Sequence, residues 1–186
     1  MVKLTKIYTR TGDAGDSGLV DGSRVSKSSL RMAAIGEIDE ANAAIGVALA
    51  AVGAGRLASE LLAIQNDLFD LGADVATPGE VDGALRIVAS QTDRLEREID
   101  TMNSDLPPLT SFILPSGSPA VAAMHLARTV VRRAERSAVA LHAVEPLNAQ
   151  ALAYLNRLSD LLFVAARYVA AGEGGDVLWR PGATRG

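Results

Sequence analysis

One stretch, PAVAAMHLARTVVRRAERSAVALH, carries charge at helical spacing: Arg128, Arg132, Glu135 and Arg136 lie three or four residues apart, and Arg133 sits off that line. On the opposite face Val121, Met124, Val131, Ala134, Ala138 and Leu141 suffice to pack a core. A row of guanidinium groups forks onto phosphate or carboxylate oxygens and steadies negative charge. The plainer alternative is a solvated face, since charge runs on helices usually meet water. Near the amino end, YTRTGDAGDSGL spaces Gly12, Gly15 and Gly18 three apart among Thr9, Arg10, Thr11 and Ser17, with Lys27 downstream. Glycines let successive N–H groups converge on an anion, and the hydroxyls and cations add donors. The stretch is neither a Walker A loop nor a Gly-x-Gly-x-x-Gly turn. Alone, such a terminus is more often a loose tail than a phosphate cradle. Beside three arginines on one face of a helix, it points to a polyanion site.

Two further polar side chains stand within apolar lines. Asp39 falls among Ile35, Ile38, Asn42, Gly46 and Leu49, and Asn156 among Leu152, Leu155, Ser159, Phe163 and Ala166. A buried carboxylate or amide is costly unless it is paired, so Asp39 is expected to need a cation, with Arg128 the candidate. A bundle with several polar groups turned inward or toward a subunit boundary is expected to hold something.

The totals narrow the chemistry. No cysteine is present, which excludes a thiolate nucleophile or thiolate metal site, and two histidines (His125 and His142) are too few for a His-based metal centre. No dedicated metal ligands are therefore expected. A net charge of -4 argues against nucleic-acid binding. The amino end lacks the apolar run of a signal peptide and no stretch is long enough to span a membrane, so a cytoplasmic protein is expected.

The elements that must position these residues read as five amphipathic helices, at about 30–52, 57–76, 85–102, 119–142 and 147–171. Gly53 to Gly55 ends the first, Pro78 follows the second, and Ser118-Pro119 opens the fourth as N-cap and first-turn proline. Asn103 to Pro119 is a long connection of the kind that tends to be functional. No alternating strand pattern of useful length is found. The expected fold is all-α, an up-and-down five-helix bundle whose short connections make successive helices antiparallel neighbours. A single domain covers 1–186: an N-terminal loop over 1–29, the bundle over 30–172 and a glycine-rich flexible tail over 173–186 in which Trp179 alone invites a role.

Five blocks in order carry a resemblance: KIYTRTGDAGDSGL; Lys27 and Arg31 before AIGEIDEANAAIG; FDLGADVATP; FILPSGSPAVAAMHLARTVVRRAERSAVAL; and LNRLSDLLFVAARYVA. Over nearly its whole length the chain resembles the PduO-type ATP:corrinoid adenosyltransferases, with Ser116 standing where a second glycine is common. The resemblance implies a ferritin-like helical bundle forming a homotrimer, with ATP held between subunits and its 5′-deoxyadenosyl group passed to the cobalt of reduced cobalamin. Triphosphate leaves, and cobalt(I) is the nucleophile, so no protein nucleophile is needed. Carried over, Thr9, Arg10, Thr11, Gly12, Gly15, Ser17, Gly18 and Lys27 would wrap the phosphates. Arg132, Arg133, Glu135, Arg136 and Asn156 would form the other wall of the ATP site, with Arg132 steadying the departing triphosphate. Asp39 and Arg128 would form an inter-subunit ion pair that holds the catalytic site in shape, and Phe112 would pack beside the corrin. Mg²⁺ is expected with the triphosphate, and a reductase and an adenosylcobalamin-dependent enzyme as protein partners. The rival reading is a non-catalytic carrier of ATP or cobalamin.

Overall fold

The computed structural model describes residues 7–185; the first six residues of the expected N-terminal loop and the last residue of the tail lie outside the described residues. Five helices follow a small hairpin: β1 (Asp16–Gly18), β2 (Arg24–Ser26), α1 (Leu30–Val52), α2 (Arg56–Val75), α3 (Ala89–Asn103), α4 (Pro119–His142) and α5 (Ala149–Ala171). The hairpin was not expected from the sequence. It is antiparallel, pairs Ser17 with Val25, and is too short to show an alternating pattern.

Caps set most helix limits. Ser29 and Ser118 accept the N–H groups of Met32 and Val121, and Asn148 accepts that of Gln150. Gly53, at φ 72°, ends α1 in a conformation that a side chain would strain. The start of α3 differs from the expected residue 85 for a tertiary reason. Arg86 and the Ile87 N–H both turn to the carboxylate of Asp74 at the end of α2, at 2.7 and 2.8 Å, so this segment stays extended until Val88. Asn148 reaches the same carboxylate at 2.8 Å, tying α5 to α2 through a side chain that is 1% exposed.

Around the bundle, α1 packs against α2 and α4, and α5 against α4 and α3. Sequential helices are therefore not all closely packed: α2 and α3, and α3 and α4, are joined by long connections, and α3 packs on α5 while meeting α2 through side chains. Between α2 and α3 the closure is ionic, with Arg94 on both Glu60 and Asp67, and the buried Tyr154 hydroxyl of α5 donating to Asp67 at 2.7 Å. Burial pushes that phenol's pKa well above the usual tyrosine value, which keeps it a neutral donor. The core runs through Ile38, Ile45, Leu61, Leu68, Met124, Val131, Leu155 and Leu162, all nearly inaccessible. Of the loop PSGSP, it is Gly117 that the fold requires. Its φ is 145° and a Cβ there would meet Val121 at 2.9 Å, whereas Ser116 only donates its N–H to the Leu114 carbonyl.

Candidate active site

The arginine row of α4 is built by register. Arg132, Glu135, Arg136 and Val139 recur at helical spacing on the outward side, and with Asn156 of α5 they line a cleft of about 380 Å³. Asn156 donates to Glu135 at 2.9 Å, and Arg136 folds back onto the Arg132 carbonyl at 2.9 Å. The Arg132 guanidinium makes no bond to a described residue and is exposed, so its five donors are open to a ligand. Arg133 is placed elsewhere: it turns to Glu40 on α1, beside the bond of Ser137 to Glu37, and does not line the cleft. Asn156 is also exposed rather than on a buried stripe, because the buried line of α5 runs through Leu155, Leu158, Ser159 and Leu162.

The amino-terminal loop is ordered by its own cations. Arg24 donates to the Thr11 carbonyl at 2.7 Å, Lys27 Nζ to the Gly12 carbonyl at 2.8 Å, and the Lys27 N–H to the Gly15 carbonyl at 2.8 Å. With those carbonyls occupied, the N–H groups of Thr11, Gly12 and Ala14 donate to no described residue. Thr9 and Thr11 share a hydroxyl hydrogen bond of 2.9 Å, and Arg10 sits at φ 62° with its guanidinium over the Tyr8 ring. A non-glycine residue held in that region is the kind of strain that gathers at ligand clamps. Gly15 has the positive φ, 94°, while Ser17 and Gly18 belong to β1. The loop touches the bundle where Val20 donates to the Ala76 carbonyl, and none of its residues lines the arginine cleft. Within the single chain, then, the two expected phosphate-binding halves do not line one cleft.

Asp39 is corrected by the fold. It is exposed, one residue beyond the buried Ile38, and no described residue pairs with it. The buried polar residues of that helix are Arg31, bonded to Glu145 and the Val75 carbonyl, and Asn42, which exchanges bonds with Gln65. Arg128 is half-buried, lies 6.0 Å over the Phe163 ring, and its Nε has no partner among the described residues. Burial holds its pKa below the ordinary arginine value, and the charge of Arg132 adds to this.

Beside Arg128, His125 is 2% exposed, both ring nitrogens have no hydrogen-bond partner among the described residues, and its ring is tilted against Phe163. Burial, then the charge of Arg128, lower its pKa, and Asp176 opposes them. The folded chain thus binds the imidazole proton less tightly than the unfolded chain, and stability falls as pH drops through and below about 6.5. Urea titrations at pH 7.5 and 5.5 are expected to show this loss, and His125→Leu to flatten the slope. An identical slope in the variant would assign the effect to other groups.

Phe112 is 77% exposed on the α3–α4 connection, its ring 6.0 Å from that of Trp179. The tail, expected to be flexible, is bonded along this loop: Leu114 N–H to the Val177 carbonyl and Trp179 N–H to the Phe112 carbonyl, each at 2.8 Å. A groove of about 860 Å³ is lined by Trp179 and the tail with Ser111 and Leu114 of the loop.

An exposed arginine cleft, a cation-ordered amino loop and an aromatic wall thus occupy one bundle, and comparison with known proteins decides among bundles of this shape. The family model for cobalamin adenosyltransferases matches residues 7–169. The chain belongs to the cobalamin adenosyltransferase family. A corrinoid adenosyltransferase from Mycobacterium tuberculosis is 54% identical over 190 residues, covering 99% of this chain and 97% of that one. One from Bacillus subtilis is 47% identical over 177 residues, covering 92% and 91%. Among solved structures, a variant PduO-type ATP:corrinoid adenosyltransferase from Lactobacillus reuteri complexed with cobalamin and ATP superposes with a TM-score of 0.88 at 38% identity, covering 94% and 99%.

As a cobalamin adenosyltransferase family member, the chain also shows what its sequence did not signal. Nothing in the sequence signals that His125 is buried or that Arg24 holds the Thr11 carbonyl of the amino loop. The ion pair of Arg167 with Asp176 links two segments whose contact has no sequence signature. Among the described residues, no group of three or more His, Asp or Glu side chains could hold a metal ion, and no helix is long and apolar enough to cross a membrane.

Proposed function

We infer that the protein transfers the 5′-deoxyadenosyl group of ATP to the cobalt of a reduced corrinoid, forming adenosylcobalamin from cobalamin. Family membership over nearly the whole chain supports this, and the site chemistry agrees. In the step, the electron pair of cobalt(I) forms the Co–C5′ bond while the C5′–O bond of ATP breaks, and triphosphate leaves with the pair of the broken bond. No protein nucleophile is required.

The observation that carries the assignment of residues is the Arg132 guanidinium, unpartnered above a cleft closed by Glu135, Arg136 and Asn156. Preorganised donors there meet charge as it develops on the departing triphosphate. The free N–H groups of Thr11, Gly12 and Ala14, with Thr9, Arg10 and Lys27, supply the opposite wall. Because the loop does not line its own protomer's cleft, the site closes between subunits of a homotrimer, where Arg128 and Asp39 of neighbouring copies can satisfy one another. Mg²⁺ enters with the nucleotide, bound by phosphate oxygens, and lowers the charge those donors must bear. Phe112 faces the corrinoid, its apolar ring excluding a lower axial ligand.

The test is direct. Protein mixed with ATP, Mg²⁺ and chemically reduced cobalamin is expected to form a light-sensitive Co–C bond, and light scattering to give three times the 19.3 kDa protomer mass. Folded protein that binds both substrates without forming that bond would make it a carrier instead.

A further inference from the structure

The α3–α4 loop and the tail meet although Ser111 and Trp179 are 68 residues apart, with the Ser111 hydroxyl donating to the Trp179 carbonyl at 2.9 Å. The ladder between them is a single isolated bridge, Ile113 to Leu178, flanked by the two backbone bonds described above. A pairing that short does not hold itself together in water. It needs an anchor, and one side chain provides it. Arg167, in the last turns of α5, donates from Nε to Asp176 at 3.0 Å and from Nη2 to the Pro107 carbonyl at 2.8 Å. Helix, tail and loop are thereby joined at one guanidinium.

Both charges are largely out of water, with side chains 6% and 15% exposed. A buried ion pair is a poor source of net stability, since apolar residues of similar volume usually do as well. What it adds is direction: a planar fork fixes two acceptors relative to one helix. The backbone is shaped for that. Gly174 and Gly175, at φ 104° and 95°, reverse the chain after α5, and the Gly175 N–H bonds the Ala170 carbonyl, so that Asp176 returns to the helix it has just left.

We propose that Arg167 and Asp176 are positioning residues for the transfer: they latch the tail to the α3–α4 loop and so hold Phe112 and Trp179 as one aromatic wall against the corrinoid. The role rests on the reading that Phe112 faces the corrinoid; the latch itself does not. Neither residue touches the nucleotide cleft, so the effect is confined to one substrate.

The experiment uses the full chain with Arg167→Met, which keeps apolar volume, and Asp176→Asn, which keeps shape and leaves α5 unbroken. Trp179 is the single tryptophan, so its emission reports the tail directly. Both variants are expected to shift that emission to the red and to raise its quenching by acrylamide. The KM for reduced cobalamin is expected to rise about tenfold, the effect of losing one charge-assisted hydrogen bond, with the KM for ATP unchanged. Asp176→Glu is expected to recover most of both signals. Unchanged tryptophan emission would overturn the latch. A loosened tail with an unchanged corrinoid KM would overturn the positioning role. Wild-type protein that cannot adenosylate cobalamin would overturn the functional reading and the positioning role with it, and the fluorescence would still decide the latch.

Discussion

Arg132→Ala is expected to lower turnover by roughly a hundredfold to a thousandfold, the range observed when one preorganised donor to a developing negative charge is removed. The fold should be untouched, because the side chain is exposed and bonds to no described residue. The loss should fall on kcat more than on the KM for ATP, since the charge that Arg132 meets grows as triphosphate departs. Steady-state kinetics with reduced cobalamin, beside a thermal melt, separates the two. Turnover within a few-fold of wild type would remove Arg132 from the proposed leaving-group role and shift that role to Arg136 or to the amino loop.

The opposite signature is expected at Asp74, where stability is lost. Its carboxylate receives Arg86, the Ile87 N–H and Asn148 in a place water does not reach. In Asp74→Ala, Arg86 keeps the Thr77 and Gly79 carbonyls, but the Ile87 N–H and a donor of Asn148 lose their acceptor. Breaking a buried pair from one side costs about 3–5 kcal/mol, which for a chain of this size lowers the melting temperature by about 10 °C. Asp74→Asn, which retains an acceptor, should lose less. Calorimetry reads both. A melt of Asp74→Ala within two or three degrees of wild type (about 1 kcal/mol or less) would show that the three donors find water instead.

Arg132 also shows where the sequence was legible. The arginine row could be read because a helix repeats its neighbours every three or four residues, so Arg132, Glu135 and Arg136 had to share a face wherever α4 packed. The limits of α1 and α4 followed from Ser29, Gly53 and Ser118-Pro119, which act through bonds a few residues long. The same local rule misled at Asp39 and Asn156. Periodicity gives an apolar stripe but not its edges, and each of these residues is exposed at the margin of its stripe.

From the sequence alone came the five helices, the polar groups proposed to hold a polyphosphate and, through five ordered blocks, the family. These are properties of short range, written in spacing. The tertiary structure decided which helices are neighbours, that Arg133 belongs to Glu40, that α3 begins late to satisfy Asp74, that His125 is sealed without partners, and that the tail is pinned to the loop bearing Phe112. Each depends on groups far apart along the chain. Whether they meet is fixed by how the bundle closes, and no local pattern encodes it.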